Sequence, residues 1–190
     1  MSLLAPATTN KRIESDYYVE GYATTFDKPY LLWEYEGNKY YEVVDRHALD
    51  SADMSDVIMQ YDHAGRVLAR LTNKTLGLEP DNTGFFTFAD LSKSNAARDL
   101  HSDITSGLIT KMSWAFTIDA DSYDHTTRTY TILKVKKVYD VSAVSHPANS
   151  DTEISARSRL DGVIQAELQE RQARDLALKK ALYFYGGIKQ

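Results

Sequence analysis

The sequence predicts an α+β fold that is mainly β, and three observations carry that reading. From Val57 onward, four short runs rich in β-branched and aromatic residues follow one another: "VIMQYDH", "RVLARLTN", "LGLEPDN" and "GFFTFADL". They are punctuated by Gly65, Asn73, Pro80 and Asp81-Asn82. Two longer alternating runs come later, "LITKMSWAFTIDADSYD" and "TRTYTILKVKKVYDVSAVSHPAN". Helical spacing is confined to residues 92–107 and to a tail over roughly 156–182, where Leu160, Ile164 and Leu168 recur every four residues amid mixed charge.

Taken in order, "YYVEGYATTF" at 17–26 predicts a first strand, with a bend or a close backbone approach at Gly21. "NKYYEVVD" at 38–45 predicts a second. Lys28-Pro29 and Glu36-Gly37 signal turns, so 27–37 reads as a connecting loop with Leu31, Leu32 and Trp33 as an apolar plug. "RHALDSADM" reads as a short helix or turn, and the four runs after it as a β-meander. The first helix opens at Ser94 or Asn95 and stops at Gly107, with Leu100, Ile104 and Leu108 on its buried face. The two long runs then make a hairpin with a long continuing strand. The organisation is an N-terminal extension over 1–16, a β domain over 17–155 and a helical C-terminal tail over 156–190.

Composition narrows the function classes. With 190 residues, 43% hydrophobic and 26% charged, the chain is long enough for one ordinary soluble core. No apolar run is long enough to span a membrane, and the N-terminus lacks a basic stretch followed by an apolar one, so neither membrane insertion nor export is expected. The net charge of −5 argues against a general nucleic-acid binder, which needs surplus Lys and Arg to displace counterions. The lysines at 134, 136 and 137 read as one solvated strand face. With no cysteine, a nucleophile must be Ser, Thr, Lys or a carboxylate.

Serine catalysis needs a hydroxyl, a base and a group that fixes the base's tautomer. Five histidines are available, at 47, 63, 101, 125 and 146. His125 lies in a polar turn and His101 on the helix, whereas His63 ends an apolar strand just before Ala64-Gly65, where a scaffold can present a side chain. Ser113 lies in "LITKMSWAFTI", where alternation sends Met112, Trp114 and Phe116 to one face and Lys111, Ser113 and Ala115 to the other. Ser113 is either a nucleophile or a small residue in a tight spot. In "VYDVSAVSHPAN", alternation puts Asp140, Ser142, Val144 and His146 on one face. A carboxylate in such a strand needs a partner, which spacing leaves open between an imidazole and a lysine such as Lys111 or Lys137.

The blocks "YVEGYATTF", "VIMQYDHAGRVLARL", "GLITKMSWAF" and "VYDVSAVSHPAN" resemble, in order, the signature blocks of the tailed-phage prohead protease family, over roughly residues 17–150. That family is similar to the herpesvirus assemblins. The resemblance implies an assemblin-like closed β-barrel with surrounding helices over 17–155 and a catalytic order of His, Ser and a third group: His63 as base, Ser113 as nucleophile, Asp140 third. The family commonly has glutamate where Asp140 stands, and assemblins use a second histidine, which would be His146. The two candidates lie about 20 Å apart along a strand, so both cannot serve His63; Asp140 is preferred here.

The resemblance further implies an endopeptidase inside the viral procapsid in the host cytoplasm, cleaving scaffold protein, major capsid protein and itself. It implies no cofactor or metal and admits a homodimer; charge and the lack of a long apolar run lead to no expected nucleic-acid or membrane partner. The backbone near Asn95–Arg98 is a candidate contributor to an oxyanion hole. The competing reading is a non-catalytic capsid assembly or scaffold-binding protein. An esterase-like hydrolase is disfavoured because no G-x-S-x-G elbow is present.

Overall fold

The computed structural model describes residues 12–145. The predicted tail helix, the boundary at 155–156 and His146 lie outside the described residues. The strands run β1 Tyr18–Thr25, β2 Tyr30–Tyr35, β3 Asn38–Val44, β4 Ile58–Tyr61, β5 Ala64–Arg70, β6 Leu76–Pro80, β7 Gly84–Asp90, β8 Lys111–Asp124 and β9 Thr129–Val144. The helix α1, Asn95–Thr105, precedes β8.

Two open sheets form, not a closed barrel, which corrects the expected architecture. One sheet has the order β1-β7-β6; the other has β2-β3-β9-β4-β5, with β8 on the far side of β9. The surrounding helices are also absent among the described residues, which contain α1 alone. The physical reason lies in β9, 16 residues long. Its first half pairs with β3 and its second with β4, both parallel, while β8 covers the opposite edge along its length. One long strand serves as the spine of an open mixed sheet, leaving β2, β5 and β8 at its margins.

The sheets meet through the apolar face of β8. Met112, Trp114 and Phe116 are buried as alternation predicts. Trp114 packs edge-on against Phe85 at 5.6 Å between ring centroids and stacks on Phe116 at 4.0 Å. Met112 Sδ lies 3.6 Å from Thr87 Oγ1. On the smaller sheet, Arg12 is paired with Glu79 and lies 4.4 Å from the Phe86 ring centroid, while Ser15 Oγ donates to Asp90 at 2.5 Å. Residues 12–16 are thus packed onto that sheet.

Several local expectations need amending. Residues 30–35 form a strand rather than a loop, and of the expected plug only Leu32 is fully buried, Leu31 facing solvent. The four runs after Val57 are strands, but they form two hairpins in different sheets instead of one meander. The irregularity expected at Gly21 falls between Tyr22 and Thr25. Ser94 caps α1 by accepting from Ala97 N–H, as predicted, and Gly107 follows in the left-handed region at φ +78°. The helix buries Ala97, Leu100 and Ile104, whereas Leu108 lies past the helix end and is 74% exposed.

In β9 the buried residues Ile132, Val135 and Val138 recur every third position, not every second. Leu133, Lys136 and Tyr139 are extra residues skipped by the β8 register, so each interval contains a bulge. The lysines at 134 and 136 are exposed and Lys137 partly so. Lys134 pairs with Asp119 at 3.1 Å and Lys137 with Asp53 at 2.9 Å.

Candidate active site

The bulge at Tyr139 decides which side of the sheet Asp140 occupies. Val138 stands opposite Phe116, on the face toward the other sheet; Asp140 stands opposite Ala115, on the reverse face. Were Tyr139 an ordinary ladder position rather than a bulge, period-2 geometry would send positions 138 and 140 the same way. Ser142 follows Asp140 on that outer face and lies opposite Ser113 of β8 and Gln60 of β4. The rows Gln60–Ser142–Ser113 and Ile58–Asp140–Ala115 therefore lie side by side, with adjacent strands about 4.8 Å apart.

His63 arrives from the β4–β5 hairpin. Tyr61 pairs with Ala64, so Asp62 and His63 form a two-residue loop, with φ of +48° and +55°. Two left-handed residues in a two-residue hairpin make a type I′ turn, usually built with Asn or Gly. Asp and His are among the residues that tolerate this region best, yet placing non-glycine residues there costs roughly 1–2 kcal/mol each. The turn is held at its base, where Asp62 N–H donates to Ala143 O at 2.9 Å. Asp62 Oδ1 accepts from Ser145 N–H at 2.8 Å and Oδ2 from Ser145 Oγ at 2.7 Å. Burial opposes ionisation of Asp62, but these Ser145 bonds outweigh it and hold the carboxyl below the usual aspartate range.

His63 Nδ1 and Asp140 Oδ1 are 2.7 Å apart, with the side chains 3% and 9% exposed. Ser142 Oγ donates to the same oxygen at 2.7 Å. An ionised carboxylate can only accept, so the His63 proton is assigned to Nδ1, leaving Nε2 as the ring's acceptor. Of the two partners that spacing allowed Asp140, the imidazole is the one it meets, while Lys137 serves Asp53. Ser113 is partly exposed on the same outer face, one strand over from Asp140 and Ser142. An imidazole oriented through Nδ1 by a carboxylate, near a serine on the neighbouring strand, is the composition that serine-type acyl transfer requires.

The other histidines sit elsewhere: His47 binds Asp50 at the surface at 3.1 Å, and His101 and His125 lie edge-on to Tyr17 and Tyr123. The N–H groups of Ala97 and Arg98 are taken by Ser94, so that part of the expected oxyanion contribution does not hold in this conformation. Sequence reasoning missed the engagement of Ser142, although its place two residues after Asp140 on one strand face was the available signal. It also missed Asp62, which nothing but its position beside His63 marked out. Among the described residues, no helix is long and apolar enough to cross a membrane, and no group of three or more His, Cys, Asp or Glu could hold a metal ion.

A family model described as caudovirus prohead serine protease matches residues 6–165. No curated protein and no solved structure gives a significant match.

Proposed function

The chain belongs to the caudovirus prohead serine protease family, and on that premise we propose that it is a serine endopeptidase of phage capsid maturation. Ser113 is the nucleophile, His63 the base and Asp140 the group that orients it. Its substrates are scaffold protein, the major capsid protein or both, and its own chain, within the procapsid in the host cytoplasm. The observation that supports these roles best is the 2.7 Å contact between His63 Nδ1 and Asp140 Oδ1, made across 77 residues of sequence on the sheet face that carries Ser113.

The chemistry follows from that contact. Asp140 fixes the Nδ1–H tautomer, so Nε2 takes the Ser113 proton as Oγ attacks the peptide carbonyl. The imidazolium then protonates the leaving amine, Asp140 stabilising its charge. In the second half, Nε2 draws a proton from water as its oxygen attacks the acyl carbon, and the imidazolium gives that proton to Ser113 Oγ as the ester bond breaks.

The test is cleavage of co-expressed scaffold and capsid proteins by the full chain. Ser113→Ala and His63→Ala each abolish it while leaving the circular dichroism spectrum unchanged, and a fluorophosphonate labels Ser113 only when His63 is present. Cleavage that survives in either variant rejects the assignment. A folded wild-type protein that neither cleaves nor labels inside assembled particles instead favours a non-catalytic assembly role.

A further inference from the structure

The Ser142 hydroxyl has no part in the acyl-transfer scheme, yet it is built into the same site. Ser142 is 0% exposed, and its Oγ donates to the very Asp140 oxygen that accepts from His63 Nδ1. Two donors on one oxygen hold the carboxylate torsion from two directions, and the hydroxyl draws charge that would otherwise fall on the imidazole. Ser142 also stands directly opposite Ser113 on the adjacent strand. Two serines thus share one row: one fully buried and committed to a carboxylate, the other partly exposed.

Resting on the serine-protease reading above, we infer that Ser142 is a positioning residue that donates to Asp140 and so sets the orientation and basicity of His63. It is not a second nucleophile. Removing its hydroxyl leaves Asp140 with more charge for the imidazolium, so His63 holds its proton more tightly. It also frees the carboxylate to rotate, so the ring spends less time aligned. The charged neighbours by sequence and register are Asp62 and Arg66 from the β4–β5 hairpin, Lys111 on β8 and Asp140 itself. Substituting Ser142 adds and removes no charge among them.

The experiment measures the rate at which a fluorophosphonate labels Ser113 in the full chain as a function of pH, together with the downfield Nδ1–H proton resonance of His63. Ser142→Ala should label about tenfold more slowly, a loss typical of outer partners of a catalytic group. Its acid limb should move to higher pH, and its Nδ1–H resonance should shift. Ser142→Cys, near-isosteric with a weak donor, should fall between the two, and it carries the test if the alanine variant does not fold. A wild-type rate, acid limb and resonance in folded Ser142→Ala would overturn the inference while leaving the protease reading intact, as would label found on Ser142. Failure of the wild-type chain to label at all would instead sink the protease reading. An unchanged resonance would then overturn the positioning role independently.

Discussion

Asp62 and Ser145 are joined twice, through both carboxylate oxygens, and this clasp ties the hairpin that carries His63 to the end of the strand that carries Asp140. The two halves of the His63–Asp140 contact are therefore fixed to one another by a second link. Asp62→Ala removes the clasp and places a poorer left-handed residue at φ +48°. Misplacing a catalytic group by an ångström costs up to about 100-fold, so Asp62→Ala should lower kcat/KM by about 10–100-fold. It should also lose about 1–3 kcal/mol in denaturant melts. Asp62→Asn keeps an acceptor and tolerates the turn, and should stay within a few-fold of wild type. Equal rates for Asp62→Ala and wild type would show the clasp to be irrelevant to turnover.

The role proposed for Asp140 has a graded signature. Without it, His63 loses its fixed tautomer while nucleophile and base remain, so Asp140→Ala should reduce kcat by about 10³–10⁴-fold rather than to zero. Because Asp140 already occupies Nδ1, His146→Ala should be near normal. Steady-state cleavage of a purified substrate decides, and the opposite ranking would transfer the third role to His146.

A buried carboxyl on β3 should make stability pH-dependent near neutrality. Glu42 on β3 is 3% exposed; it accepts from the Tyr30 hydroxyl through Oε1, and Oε2 has no hydrogen-bond partner. Burial pushes its carboxyl up to about 7, against the opposing effect of the Tyr30 bond, and pushes the Tyr30 hydroxyl well above its usual range. A raised acid binds its proton more tightly when folded. Its contribution is therefore complete below the unfolded value of 4.5 and is lost as pH rises from there through about 7. Glu42→Gln should flatten this slope and be more stable than wild type at about pH 8, by on the order of 2–3 kcal/mol, in chemical melts across the range. A wild-type slope in the variant refutes the assignment.

Acid unfolding should run the other way through the Asp90 carboxyl on β7, which accepts from Ser15. Burial there is outweighed by hydrogen bonds from Ser15, Lys93 and Ser92, which hold the carboxyl at about 2, so its stabilisation is present above 3.8 and disappears as pH falls toward 2. Asp90→Asn should flatten that limb of the melting profile without touching the neutral one.

The smaller sheet has a steric checkpoint at Gly84. A Cβ there would lie 2.1 Å from the Thr24 carbonyl oxygen and 2.8 Å from the Thr25 Cα, both backbone atoms that cannot swing aside. Gly84→Ala should destabilise by about 2–3 kcal/mol in urea melts, as overpacked sites do. A neutral result would mean that β1 and β7 can separate at no cost.

How much of this was legible in the sequence depended on whether the signal was local. The strand character of "VIMQYDH" and "MSWAF" and the cap at Ser94 are properties of a few consecutive residues, and they were readable. His63, Ser113 and Asp140 each sit on such a segment, but local pattern left each open to a structural reading, and only the resemblance of four ordered blocks to one family singled them out as a set. The open sheets could not be read, because they depend on which strands share β9, a matter of pairing over many residues. Nor could the bulges, since in "ILKVKKVYD" the every-third burial imitates a noisy alternation. Residues 30–35 read as loop because Leu31, Leu32 and Trp33 follow one another without alternation; pairing to β3 supplied what the local pattern lacked.

The single supernumerary residue at Tyr139 works as a phase shifter. Val138 and Asp140, two positions apart, therefore point to opposite faces of the sheet, one toward Phe116 and the other beside Ala115. Deleting Tyr139 would leave Val138 and Asp140 as consecutive residues on opposite faces, as they are now, whereas drawing Tyr139 into the regular ladder would turn Asp140 to the face of Val138, away from the hairpin that carries His63. Which side chains can meet across this sheet depends on how the strand is paired as well as on how it is spelled.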